Sequence, residues 1–183
     1  MPRKPIIDAV VADLGPDLLL VDDPAVFHDL GRNGFVNKCV LTASHEIRIE
    51  PENWLDTLAM ADFFLSPPGI VMPMCHNTIE AMAVGTIPIT NYPEWLDPPL
   101  RHMEDCLVFD QRADLVARLR AALALDQGEI ARLRRNVISY YGAHMRPDTF
   151  IEREERHPDR AFPILMYTER NVARRTKRLG RLP

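Results

Sequence analysis

The sequence predicts an α/β fold, a mostly parallel sheet flanked by helices, and three observations predict it. Apolar stretches of strand length alternate with stretches of helical period, the sign of βαβ units. The strand candidates lack the in/out alternation of a half-solvated sheet, as strands covered on both faces do. One strand runs through a Gly- and Pro-containing loop straight into a helix start.

In chain order, Pro5–Leu14 has helical spacing and Asp17–Val21 (DLLLV) reads as the first strand. Asp22 and Asp23 follow as solvated loop carboxylates and take no role, and the same reading applies to Glu154 and Glu155. Lys38–Thr42 (KCVLT) is the second strand, Pro51–Ala61 an amphipathic helix that places Trp54 in the core, and Asp62–Ser66 (DFFLS) the third strand. Asn77–Val84 is the next helix, with Ile79, Met82 and Ala83 at core spacing. Gly85 supplies a left-handed helix end before the strand Thr86–Thr90 (TIPIT), in which Pro88 requires a place where its missing donor is tolerated. Cys106–Phe109 (CLVF) is the fifth strand. The helix Asp114–Ala124 puts Leu115, Leu119, Ala122 and Leu123 on one face, and a further helix covers Gly128–Tyr141. Beyond it, His144–Arg160 reads as an irregular surface crossing, and Pro163–Arg181 ends in a basic run of Arg170, Arg174, Arg175, Lys177, Arg178 and Arg181. The organisation expected is therefore a domain over 1–143 holding a single sheet and an irregular, helical extension over 144–183.

Composition sets outer bounds. A chain of 183 residues is long enough for one real core. The formal charge of -4 supplies no overall positive field, so nucleic acid is not an expected partner. Cys39, Cys75 and Cys106 are odd in number and lack CxxC spacing, which argues against a disulfide framework and against a zinc site; no metal cofactor is expected. Acids interrupt the apolar run after Met1-Pro-Arg-Lys-Pro before a signal-peptide core or membrane span can form. These features point to a soluble cytoplasmic protein. The basic run near the C-terminus reads as a solvated face or as a peripheral contact with anionic lipid on the inner membrane face.

The stretch Ser66-Pro-Pro-Gly-Ile-Val-Met-Pro-Met-Cys-His-Asn-Thr-Ile-Glu-Ala-Met-Ala-Val-Gly-Thr-Ile-Pro-Ile-Thr90 carries the chemistry. In open parallel sheets ligands bind outside the carboxyl ends of the strands, where a helix start presents unpaired N–H groups and the positive end of its dipole. A diphosphate suits such a place. Gly69 lets the loop backbone approach a ligand, and Pro67, Pro68 and Pro73 stiffen the loop. His76, Asn77 and Thr78 stand at the helix start, where imidazole, amide and hydroxyl can bond phosphate oxygens. Glu80, one turn in, is an acceptor suited to a pair of sugar hydroxyls. Bland readings accompany these: Asn77-Thr-Ile-Glu80 also fits a capping box, and His76 also fits an ordinary polar helix start.

Ala61-Asp-Phe-Phe-Leu-Ser-Pro-Pro-Gly and Ile79-Glu-Ala-Met-Ala-Val-Gly-Thr-Ile-Pro-Ile resemble the donor-domain signature of GT-B glycosyltransferases over roughly 53–125. The resemblance implies a Rossmann-like domain, the donor-binding half of a GT-B fold, that takes a nucleotide diphosphate sugar as donor substrate. It implies that Glu80 bonds the ribose, while the helix-start reading has Gly69, His76, Asn77 and Thr78 hold the diphosphate. No catalytic residue is assigned. Met72 stands where retaining members often carry a second glutamate, and the loop is similar to those of more divergent, exostosin-like members, so retention and inversion both stay open. The usual phosphate-binding basic residue has its nearest candidates in Arg48 and Lys38. The acceptor, a glycan, a lipid-linked group or a small molecule, falls to a second Rossmann-like domain supplied in trans. A non-catalytic nucleotide-binding or assembly module, a degenerate transferase, is the competing expectation.

Overall fold

The computed structural model describes residues 1–33, 37–43, 45–69 and 73–155. The basic C-terminal run and Met72 lie outside the described residues, so the reading of that run as a lipid contact does too. Among the described residues the order is α1 (Arg3–Asp13), β1 (Leu18–Val21), α2 (Pro24–Asn33), β2 (Cys39–Thr42), α3 (Trp54–Ala59), β3 (Phe63–Leu65), α4 (His76–Ala83), β4 (Ile87–Thr90), β5 (Leu107–Val108), α5 (Arg112–Leu123), α6 (Gln127–His144) and α7 (Pro147–Glu155). Short 3-10 turns at Gly15–Asp17, Pro51–Asn53 and Pro93–Trp95 link some of them.

Among the described residues all strand pairing is parallel, in keeping with an α/β fold, but it forms two sheets where the sequence predicts one. β1 pairs β2 with Leu18 opposite Cys39 and Val21 opposite Thr42. A second sheet has the order β3-β4-β5, with Phe63 opposite Ile87 and Ile89 opposite Leu107. Side chains rather than a shared ladder join the two. Leu18 and Cys39 pack against the main core, while Val21, Phe27 and Ile47 form a small core of their own. Further along β1, Leu20 is 61% exposed. Full two-sided burial, expected of all five strands, belongs to β4 alone; β2 and β3 are half-buried throughout.

Pro88 is accommodated by the alternation of the parallel ladder. The Ile87 N–H donates to Asp62 O and the Ser66 N–H to Ile89 O, so Ile87 and Ile89 serve the β3 side. Pro88 faces the other side, where pairing with β5 begins only one residue later, at Ile89.

The main core gathers Ile6, Val10 and Leu14 from the α1 region, Met82 of α4, Ile87 and Ile89 of β4, Leu115 and Leu119 of α5, and Leu133 and Val137 of α6. Pro5 falls in the first turn of α1, where no intrahelical donor is needed. Two helices exceed the sequence reading. α2 begins at Pro24 with Asp23 as its cap, the Ala25 N–H donating to Asp23 Oδ1 at 2.8 Å, so this carboxylate is structural rather than merely solvated. α7 occupies Pro147–Glu155 where an irregular crossing is predicted, and its Thr149 hydroxyl donates to Gly142 O at 2.9 Å, fastening it to the end of α6.

Contacts from outside position the β3-α4-β4 unit. The Arg134 guanidinium donates to Asp62 Oδ1 at 2.8 Å and to Ala61 O at 2.9 Å, holding the start of β3 against α6. The buried Thr86 hydroxyl donates to Leu58 O at 2.7 Å, tying the start of β4 to α3. α4 closes with paired bonds from Gly85 N–H to Met82 O and from Thr86 N–H to Ala81 O. Gly85 takes φ +79°, the left-handed end predicted from sequence.

Candidate functional site

A cavity of about 400 Å³ opens beside the start of α4, and its described lining is Ile49, Pro51, Trp54, His76, Asn77 and Glu80. Three residues singled out from sequence, His76, Asn77 and Glu80, therefore share one concavity. It lies beside the helix that follows the carboxyl end of β3.

The helix start is open. α4 begins at His76, one residue earlier than predicted, with Cys75 in extended conformation before it and no side chain capping it. The capping box expected of Asn77 and Glu80 is accordingly not formed: Asn77 sits one residue inside the helix, and Glu80 bonds elsewhere. The indole N–H of Trp54 donates to Glu80 Oε2 at 2.7 Å. Trp54 is half-buried at the cavity wall and is not the core residue that the amphipathic reading of its helix predicts.

Asn77 turns Oδ1 into a place where it is buried and has no hydrogen-bond partner among the described residues. The same holds for Thr42 Oγ1 at the end of β2 and for Asn91 Oδ1 just past β4. Buried polar atoms are nearly always paired, and these three all stand at a carboxyl strand end or at the helix start that follows one.

Thr78 does not face the cavity. Its hydroxyl is fully buried and bonds both Ser66 Oγ and the Tyr92 hydroxyl, the latter at 2.9 Å; Ser66 Oγ and Tyr92 are 2.7 Å apart. The buried face of α4 is Thr78, Ala81 and Met82, one residue out of phase with the predicted Ile79, Met82 and Ala83. Thr78 thus belongs to the packing face, and the ring of hydroxyls fastens the end of β3, the first turn of α4 and the residues after β4. Gly69 lies outside the cavity lining as well. Its N–H donates to Pro73 O at 3.1 Å.

The basic residues also rearrange. Lys38 precedes the amino end of β2 and donates to Pro16 O at 2.7 Å, at the edge opposite to where parallel sheets take ligands. Arg48 is exposed, pairs with Glu50 at 3.0 Å and is next in sequence to Ile49 of the lining. Arg3, which no sequence pattern marks, reaches Cys75 Sγ at 3.9 Å from α1, beside the start of α4. Among the described residues no cluster of His, Cys, Asp and Glu has the arrangement of a metal site, and no helix is long and apolar enough to cross a membrane.

Comparison with family models, with curated proteins and with solved structures returns no match to this chain.

Proposed function

We propose that this chain is the donor-binding portion of a glycosyltransferase, and that the cavity beside α4 takes a nucleotide diphosphate sugar. The observation that carries the reading is the single concavity holding His76, Asn77 and Glu80 at an uncapped helix start. The first amides of α4 and the positive end of its dipole suit a diphosphate, His76 can add a donor, and the Arg3 guanidinium stands beside this turn, 3.9 Å from Cys75 Sγ. Glu80 accepts the ribose hydroxyls, and the apolar surfaces of Ile49, Pro51 and Trp54 suit the flat, weakly polar part of the nucleoside. Fixed amides aimed at the departing diphosphate are the kind of preorganised electrostatics that glycosyl transfer uses. The acceptor and its domain lie with a partner in this reading, and no metal is assigned.

Glu80→Ala tests the assignment directly. Its affinity for the nucleotide falls about tenfold or more, the equivalent of one hydrogen bond to a charged group, while the circular dichroism spectrum is unchanged. An unchanged affinity in a folded variant removes Glu80 from the site.

A further inference from the structure

The contact between Trp54 and Glu80 joins two helices 26 residues apart in sequence and occurs at the wall of a cavity that both residues line. An indole has one N–H and is only a donor; a carboxylate is only an acceptor, with two oxygens. The bond therefore engages Oε2 of Glu80 and leaves Oε1 as an acceptor. A free glutamate on an eight-residue helix would sample several rotamers, whereas a bond to an indole anchored in another helix selects among them. The anchor itself is held: α3 carries Leu58, whose carbonyl takes the Thr86 hydroxyl, and the Thr57 hydroxyl donates to Asn53 O at 2.8 Å. Asn77, another lining residue, has its Oδ1 buried and without a partner among the described residues. A carboxylate on a fixed support matches a ligand that presents neighbouring hydroxyl donors.

We infer that Trp54 is the positioning residue of this site: by fixing Glu80 it makes the cavity select a vicinal diol, and so ribonucleotides over their 2′-deoxy counterparts. This rests on the nucleotide reading of the cavity given above. A bond that merely fastened α3 to α4 would affect stability but not the choice between two ligands differing by one hydroxyl. Sites built to bond a hydroxyl reject analogues lacking it, because their polar groups are then left unpaired.

The test is calorimetric titration of the unmodified chain and of Trp54→Phe, which keeps a ring and removes the N–H, with UDP, GDP and ADP and their 2′-deoxy forms. The unmodified chain is expected to favour the ribonucleotide by about tenfold, and Trp54→Phe to bring the ratio close to one. A ratio retained in Trp54→Phe overturns the role of Trp54 and leaves the nucleotide site standing; no binding of any nucleotide by the unmodified chain overturns both. A second measurement needs no change at Trp54. With Trp95→Phe leaving Trp54 as the one indole in the chain, its ring N–H resonance in a nitrogen-15 spectrum is expected to move further on saturation with the ribonucleotide than on saturation with the 2′-deoxy form. Equal movement with both overturns the proposal even if Trp54→Phe does not fold.

Discussion

Ser66, Thr78 and Tyr92 bring three hydroxyls together behind the first turn of α4, all nearly excluded from solvent. Three hydroxyls can satisfy one another in a ring, each donating once and accepting once. Tyr92→Phe removes one member and leaves the other two short of a partner, so urea unfolding is expected to show a loss of about 1–3 kcal/mol. A loss within error would mean that the ring does not hold the helix start. The same residues show what the sequence made legible. His76, Asn77 and Glu80 could be placed at one helix start because strand, loop and helix follow one another without interruption. Thr78 could not be sorted from them, because a one-residue difference in helix phase decides which side chain turns inward. Trp54 carried a signal that periodicity overlooks: a Trp near a wall brings a polar N–H that needs a partner.

At the scale of elements, α4 is defined by its two ends. The carboxyl end uses Gly85 at φ +79°, and a Cβ there would meet Ile138 Cδ1 at 3.0 Å. The side chain can yield, but the left-handed backbone remains unfavourable for alanine. Gly85→Ala is expected to lower stability by about 1–2 kcal/mol, read as a shift of the urea midpoint with an unchanged slope. An unshifted midpoint would show that this helix end tolerates a Cβ. The five strands were legible, each within a residue or two, because wholly apolar runs of four or five residues are too short for buried helices. α2 was not read, although Asp23 before Pro24 is a helix-start pattern in its own right. α7 escaped because its charge and its leading proline resemble a loop, while its support comes from the Thr149 contact to α6.

At the scale of the molecule, the described residues hold two parallel sheets with separate cores, and local sequence carries no information about whether two sets of strands share a ladder. Leu18 and Cys39 of the first sheet pack against the main core, and Leu20 is left exposed. Burial raises three titrating groups together: Cys39 to about 11, Cys106 to about 12 with the Asp105 carboxylate adding to the effect, and Tyr140 to about 12, again with Asp105 contributing. In each case the folded value lies above the unfolded one, 9.0 for the thiols and 10.0 for the phenol. The neutral forms favour the fold at pH 7 to 8 without loss. Stability is then expected to fall as pH rises from about 9 toward 12, by at most about 1.4 kcal/mol per pH unit for each group. Urea midpoints at pH 7.5, 9 and 10.5 check this; a flat profile would mean that these groups are solvated in the fold.

Calorimetric titration of the unmodified chain with UDP, GDP, ADP and their sugar conjugates tests the central claim most directly. The cavity beside α4 predicts saturable binding of at least one nucleotide diphosphate, weakened in Glu80→Ala. The absence of heat and of thermal stabilisation with every member of the panel would contradict it.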